Sequence, residues 1–194
     1  TTKVQLVRYA SLILLLLPVL FVLNFETTPT QVNSNEITLS AKNGLRIYQG
    51  KPFTGDVISF YPNGTTAKLA SFQNGLRHGY LKQWFPNGKL SFHSLYENGR
   101  LHGKTKSWWS NGNLRSVSNY ELGKVHGDSL QWYATGEKFK KLHYDQGQES
   151  GLQQAWRRNG KLFSNYEYIN GRIYGLKRSN MCVELEDEKV IVSN

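Results

Sequence analysis

The sequence predicts an all-β fold, an elongated antiparallel sheet of stacked β-hairpin repeats with one N-terminal transmembrane helix, and three observations predict the repeats. First, 16 of the 18 glycines in the 194 residues fall on one lattice. Gly55, Gly79, Gly103, Gly127, Gly151 and Gly175 are spaced by 24 residues, as are Gly64, Gly88, Gly112, Gly136 and Gly160, and as are Gly75, Gly99, Gly123, Gly147 and Gly171. A fixed period without insertion or deletion is the signature of a repeat architecture. Second, aromatics keep the same period, at Phe60, Trp84, Trp108, Trp132 and Trp156, at Tyr61, Phe85, Trp109 and Tyr133, and at Phe72, Tyr96, Tyr120, Tyr144 and Tyr168. Third, a turn such as Pro62-Asn63-Gly64 or Pro86-Asn87-Gly88 follows each aromatic pair. Asn-Gly between two aromatic-rich runs signals a hairpin, because both residues accept the positive φ of a tight turn. Each unit reads as one hairpin, and since a lone hairpin is marginal in water the units must pair with their neighbours.

A different segment precedes the lattice. Residues 9–25 carry no charge and include the leucine run 14–17, with Lys3 and Arg8 just ahead of them. As a helix those residues span about 25 Å at 1.5 Å each. That is close to a hydrocarbon core of about 30 Å, and Pro18 is tolerated in such a helix. No small-x-small cleavage site stands between Asn24 and Pro29, so residues 1–25 read as a signal-anchor in preference to a cleaved signal peptide. The flanking charges put the N-terminus in the cytoplasm and the rest of the chain outside it, in the periplasm of a Gram-negative cell, with residues 9–25 in the lipid bilayer. Residues 26–43 then form a linker. A repeat region over 44–178 starts with a degenerate cap at 44–54 and holds five full units over 55–175, and residues 179–194 form a C-terminal capping tail.

Charge narrows the partner. The chain carries a formal net charge of +10, and residues 51–175 hold 17 Lys plus Arg against 8 Asp plus Glu, a net of +9. A basic surface seeks an acidic partner, and outside the cytoplasm that means lipid head groups or a protein and not nucleic acid. The densest cluster is Lys104, Lys106, Lys138, Lys140, Lys141, Arg157, Arg158 and Lys161, interleaved with Trp108, Trp132 and Trp156. These are the candidate partner-binding residues, while Gly64, Gly88, Gly112, Gly136 and Gly160 are the structural turn residues.

Other constellations are weaker. His78, His102 and His126 recur at the repeat interval, but units two strands apart are separated by about 10 Å, too far for imidazoles to share one zinc at about 2.1 Å. They read as turn residues copied with their motif. Met181 and Cys182 are the one soft-ligand pair, able to hold copper(I) or to form an intermolecular disulfide, yet two ligands are too few to define a metal site. Asn63-Gly64-Thr65 fits a glycosylation sequon, and its place in a repeat turn explains it better. The sequence holds no nucleophile elbow, no zinc-protease motif and no phosphate-binding glycine loop, so an enzyme or a cofactor is not expected.

The residues of the units, such as Gly79-Tyr80-Leu81-Lys82-Gln83-Trp84-Phe85-Pro86-Asn87-Gly88 and Tyr96-Glu97-Asn98-Gly99-Arg100-Leu101-His102-Gly103, resemble the MORN-repeat variant, a form of the membrane occupation and recognition nexus repeat of roughly 24 residues. That resemblance implies stacked hairpins, and proteins similar to it serve as scaffolds or lipid-surface binders, or carry an antitoxin-like label in bacteria. Together these readings give a membrane-anchored, extracytoplasmic, non-enzymatic repeat protein that binds or scaffolds a protein partner as an accessory subunit of a membrane complex. A metal or redox accessory role through Met181 and Cys182, and an antitoxin-like inhibitor of a protein toxin, are the alternatives.

Overall fold

The computed structural model describes residues 30–177. The anchor expected over 1–25 and the tail expected over 179–194, with Met181 and Cys182, lie outside these residues. Among the described residues no helix is long and apolar enough to cross a membrane. The strands are β1 (Gln31–Asn33), β2 (Thr38–Leu39), β3 (Arg46–Tyr48), β4 (Lys51–Pro52), β5 (Gly55–Phe60), β6 (Thr66–Gln73), β7 (Leu76–Trp84), β8 (Leu90–Glu97) and β9 (Arg100–Trp108). They continue as β10 (Leu114–Glu121), β11 (Lys124–Val125), β12 (Gly127–Trp132), β13 (Lys138–Asp145), β14 (Gln148–Glu149), β15 (Gly151–Trp156), β16 (Leu162–Ile169) and β17 (Arg172–Leu176). One 14-stranded sheet runs β1-β5-β6-β7-β8-β9-β10-β12-β13-β15-β16-β17, with β11 beside β10 and β14 beside β13; β2, β3 and β4 form a small separate sheet.

The first edge departs from the expected antiparallel pattern. β1 pairs with β5 in parallel, Val32 opposite Val57. A parallel pair needs a crossover, and here the crossover is the three-stranded sheet itself. Residues 31–39, expected within a linker, therefore supply β1, a 3-10 turn at Ser34–Glu36 and β2. That turn is fixed by a capping box in which the Glu36 carboxylate accepts the Asn33 N–H at 2.9 Å. The parallel pairing brings the Thr30 carbonyl so close to Gly55 that a Cβ there would collide with it, so only glycine fits. Val32 and Phe53 then bury against Ala70, Phe72 and Leu81 in an apolar cluster at this end of the sheet.

Two kinds of turn alternate along the array. Between units, Asn98 and Gly99 both hold positive φ, 49° and 80°, flanked by the pair Glu97 and Arg100. This is the two-residue primed turn that matches strand twist. Within units the turn is different. Gly88 N–H donates to the Phe85 carbonyl at 2.9 Å, Phe85 N–H donates to the Lys89 carbonyl at 2.8 Å, and only Gly88 among these residues has positive φ, 78°. This is a three-residue loop ending in a glycine bulge, a geometry that suits Pro86 at its first position. The expectation that Asn takes the positive φ here is corrected: the Asn87 carboxamide oxygen instead accepts the Lys89 N–H at 3.1 Å, as in an Asx turn. Gly64, Gly112, Gly136 and Gly160 close equivalent loops.

Each hairpin slips register at its Trp-phase residue, at Gln83/Trp84 and Gln131/Trp132 for example, leaving Arg115, Phe139 and Phe163 as bulged residues. The glycines at the start of each hairpin lie opposite the third aromatic phase, Gly79 opposite Tyr96 and Gly127 opposite Tyr144. The two phases keep step because the ladder pairs them directly across the hairpin. The register also separates the two faces of the sheet. A row from Val57 through Ala70, Leu81 and Ser94 continues by Thr105, Ser118 and Ser129 to Leu142, Gln153 and Tyr166. Ala70, Leu81, Ser94, Thr105, Ser129, Gln153 and Tyr166 of this row are buried, and their face is called inner. The tryptophans alternate to the outer face, where Trp84, Trp108 and Trp156 sit opposite Leu90, Leu114 and Leu162.

Candidate interaction surface

The basic cluster expected on a single surface is divided between the two faces. By alternation Lys104, Lys106 and Lys141 project outward with Trp108 and Trp132, and Lys138, opposite Trp132, lays its ammonium 4.5 Å from the ring centroid of Trp156. Lys82, His93 and Lys106 are direct cross-strand neighbours in that outer row. Burial, and after it the charges of Lys82 and Lys106, hold the His93 imidazole below its ordinary pKa. Lys141 is partly neutralised, 3.6 Å from Asp128, whose carboxylate also meets His143 Nδ1 at 2.7 Å. The His143 hydrogen bond holds the Asp128 carboxyl below the usual range, with the Lys141 charge adding to it against the opposing effect of burial.

Lys140 belongs to the inner face, beside Gln131 and Ala155 in register. Its ammonium stands 4.8 Å from the ring centroid of bulged Phe139, which itself packs on Tyr133 at 4.8 Å. The Arg157 guanidinium stacks 5.9 Å from Phe163, and Arg158 lies 5.4 Å from Tyr133. Lys161 closes the last loop, its N–H donating to the Asn159 carboxamide at 3.1 Å. The histidines of the repeat interval go to separate contacts: His78 accepts the Asn98 N–H at 3.5 Å, His102 is 3.8 Å from Glu97 and His126 is 3.4 Å from Asp145.

The inner face also shows a feature that sequence reasoning missed. An open groove of about 410 Å³ is lined by Phe92, Trp109, Arg115 and Phe139 among others, with Ser107, Ser116 and Gln131 along it. The Arg115 guanidinium lies 4.7 Å over Trp109. A second open groove of about 290 Å³ continues from Phe139 and Lys140 to Phe163 and Tyr166. Cations stacked on aromatic faces are partly desolvated without losing their charge, which suits them to hold an acidic partner. The signal was present, since Arg115, Phe139 and Phe163 share a phase three residues after each loop glycine. Only the bulge puts that phase on the inner face, and the bulge is invisible in the sequence.

A second missed feature links the units. The Tyr61 hydroxyl donates to the Trp84 carbonyl at 2.7 Å, the Trp109 indole to the Trp132 carbonyl at 3.1 Å, and the Tyr133 hydroxyl to the Trp156 carbonyl at 2.9 Å. The loop asparagines do the same. Asn63, Asn87 and Asn111 donate to the carbonyls of Pro86, Ser110 and Ala134, each at 3.2 Å or less. At the opposite edge Gly99 N–H donates to the Arg77 carbonyl at 2.7 Å and Gly123 N–H to the Leu101 carbonyl at 2.9 Å. Tyr61, Trp109 and Tyr133 of the second aromatic phase, and the Asn of the first three loops, thus each reach into the next unit.

No curated protein matches the chain. The MORN repeat variant matches three consecutive repeats, residues 53–74, 77–98 and 101–122, in the first part of the array, and the hairpins that follow keep the same turns and registers.

Proposed function

We propose that the chain is a non-enzymatic repeat protein, held in the membrane by residues 1–25 with its sheet outside the cytoplasm, that binds an acidic face of a protein partner as an accessory or scaffolding subunit. The observation that carries this reading is the series of Arg115 on Trp109 and Lys140 on Phe139, two cations on aromatic supports that line adjoining grooves, with Arg157 stacked on Phe163 of the second. Charge brings an acidic face in, and the aromatics supply the desolvated contact area that charge alone lacks. The excess of +9 on residues 51–175 acts over about 8 Å at physiological salt.

The test compares the two faces. The full chain, extracted in mild detergent, is isolated with its bound proteins, and these are identified by mass spectrometry. Reversing Arg115, Lys140 and Arg157 to Glu is expected to release the partner with the β-sheet circular dichroism unchanged. Reversing Lys104, Lys106 and Lys141 is expected to leave it bound. The opposite pattern would contradict the inner-face assignment. Intact-mass measurement of the membrane fraction checks the anchor: the expected mass retains residues 1–25, and a chain starting between about residues 26 and 35 would contradict it.

A further inference from the structure

We propose that the cavity between the N-terminal cap and the first repeat, lined by Arg46, Lys68 and Arg77, binds the phosphate group of a phosphomonoester. This site lies at the far end of the array from Lys140 and Arg157 and is independent of the partner reading above. The cavity measures about 170 Å³, and Ser34, Ile37, Val57, Ser59, Ala70 and Phe72 complete its wall. Its three cations come from three separate elements: Arg46 from β3 of the cap, Lys68 from β6 and Arg77 from β7. Among the described residues no carboxylate stands within ion-pair distance of any of them. Asp56 alternates to the other face of β5 from Val57, where it accepts hydrogen bonds from Ser71 at 2.7 Å and Tyr80 at 2.5 Å.

Such a cluster is costly when empty. Like charges converging on a partly apolar cavity repel one another, and ionised groups lose hydration there. Burial first, and then the charges of Arg77 and Arg46, hold the Lys68 ammonium below its ordinary pKa. Arg77 is nonetheless fixed in place, its guanidinium 5.3 Å from the Tyr96 ring and donating to the Tyr96 hydroxyl at 3.4 Å. A dianion would offset two of the three convergent charges, accept charge-assisted hydrogen bonds from both guanidinium groups and the ammonium, and leave the Ser34 and Ser59 hydroxyls as further donors. The apolar part of the wall, Ile37, Val57, Ala70 and Phe72, suits the carbon portion of an ester over a fully hydrated ion. A phosphomonoester can be soluble or can be a lipid head group, and the chemistry at the cavity is the same for both.

The experiment follows thermal unfolding of the full chain in mild detergent by tryptophan fluorescence, in sodium phosphate against sodium chloride at matched ionic strength. A parallel series uses micelles doped with phosphatidic acid against micelles doped with phosphatidylglycerol. Lys68→Gln is the test variant, Arg46→Gln the second should the first fail to fold, and exposed Lys42→Gln the control for bulk charge. In chloride, Lys68→Gln is expected to melt above wild type because the repulsion is relieved. In phosphate, wild type and Lys42→Gln are expected to gain stability, and Lys68→Gln to bind phosphate at least tenfold more weakly. Stabilisation by inorganic phosphate marks a soluble source, and stabilisation by phosphatidic acid alone marks a lipid source; either supports the site. If neither probe stabilises wild type, or if both cavity variants keep the full shift, the proposal is overturned.

Discussion

Leu122 occupies a position that its side chain does not favour. It takes φ 50° in the turn where Asn74, Asn98 and Asn170 take the same conformation, and it is 68% exposed, so little packing offsets the strain. The left-handed region costs an ordinary L-residue about 1–2 kcal/mol, and asparagine tolerates it better. Leu122→Asn is therefore expected to raise stability by about 0.5–1 kcal/mol in urea unfolding. A loss of stability would show that Leu122 makes contacts the turn depends on. Tyr166 offers a test in pH. Burial, followed by its hydrogen bond to Glu149 at 3.0 Å, pushes the phenol up to about 12 from an ordinary 10.0. A raised folded value means that the unfolded chain loses this proton first. The stabilisation is thus fully present below pH 10 and is lost as pH rises through about 12. Between those values wild type is expected to lose stability with pH more steeply than Tyr166→Phe, which urea midpoints at successive pH values would show. Equal slopes would mean that Tyr166 titrates alike in both states.

At the scale of the hairpin, the links between neighbours matter as much as the strands. The Asn of each of the first three loops donates to the next loop, but the fourth loop carries Thr135, whose hydroxyl turns back to Glu137. Thr135→Asn is expected to add the missing bond and raise stability by about 1 kcal/mol, the usual net worth of one hydrogen bond. An unchanged melting temperature would show that the loop links follow the stacking without strengthening it. The glycine lattice and the alternation of aromatics made the hairpins and their order legible, because turn chemistry and side-chain period are local properties. The cap was not legible. Its strands are two or three residues long, and β1 pairs across a crossover that no local pattern announces. The inner-face groove was hidden for a related reason. Arg115, Phe139 and Phe163 reach that face only through bulges, and one bulge reverses every facing inferred from alternation. Lys140 and Lys141 are adjacent in sequence and lie on opposite faces, so a cluster that is dense along the chain is divided in space.

Over the whole molecule, burial is uneven. Apolar burial gathers at the two ends of the array, around Val32, Phe53, Ala70, Phe72 and Leu81 at the first and at Ala155, Trp156, Leu162 and Tyr166 in the last hairpin, whereas the buried row through the middle units is built of Ser94, Thr105 and Ser129. Ser118 and Ser129 join their hydroxyls at 2.7 Å, while the buried hydroxyls of Ser94 and Thr105 have no hydrogen-bond partner among the described residues. The middle of the sheet therefore depends on its ladders and inter-unit links more than on apolar burial. An array in which each unit touches only its neighbours has a stability close to a sum of unit and interface contributions. The central claim is that the 24-residue interval is the physical unit of this fold. Removing residues 104–127 takes out one whole unit and joins Gly103 to Asp128 in phase. Removing residues 104–115 takes out half a unit and reverses the phase of everything after it. Urea unfolding followed by circular dichroism is expected to show a cooperative transition for the first deletion, with a smaller m-value because less surface is buried, and none for the second. If both deletions unfold alike, the period is a feature of the sequence and not of the fold.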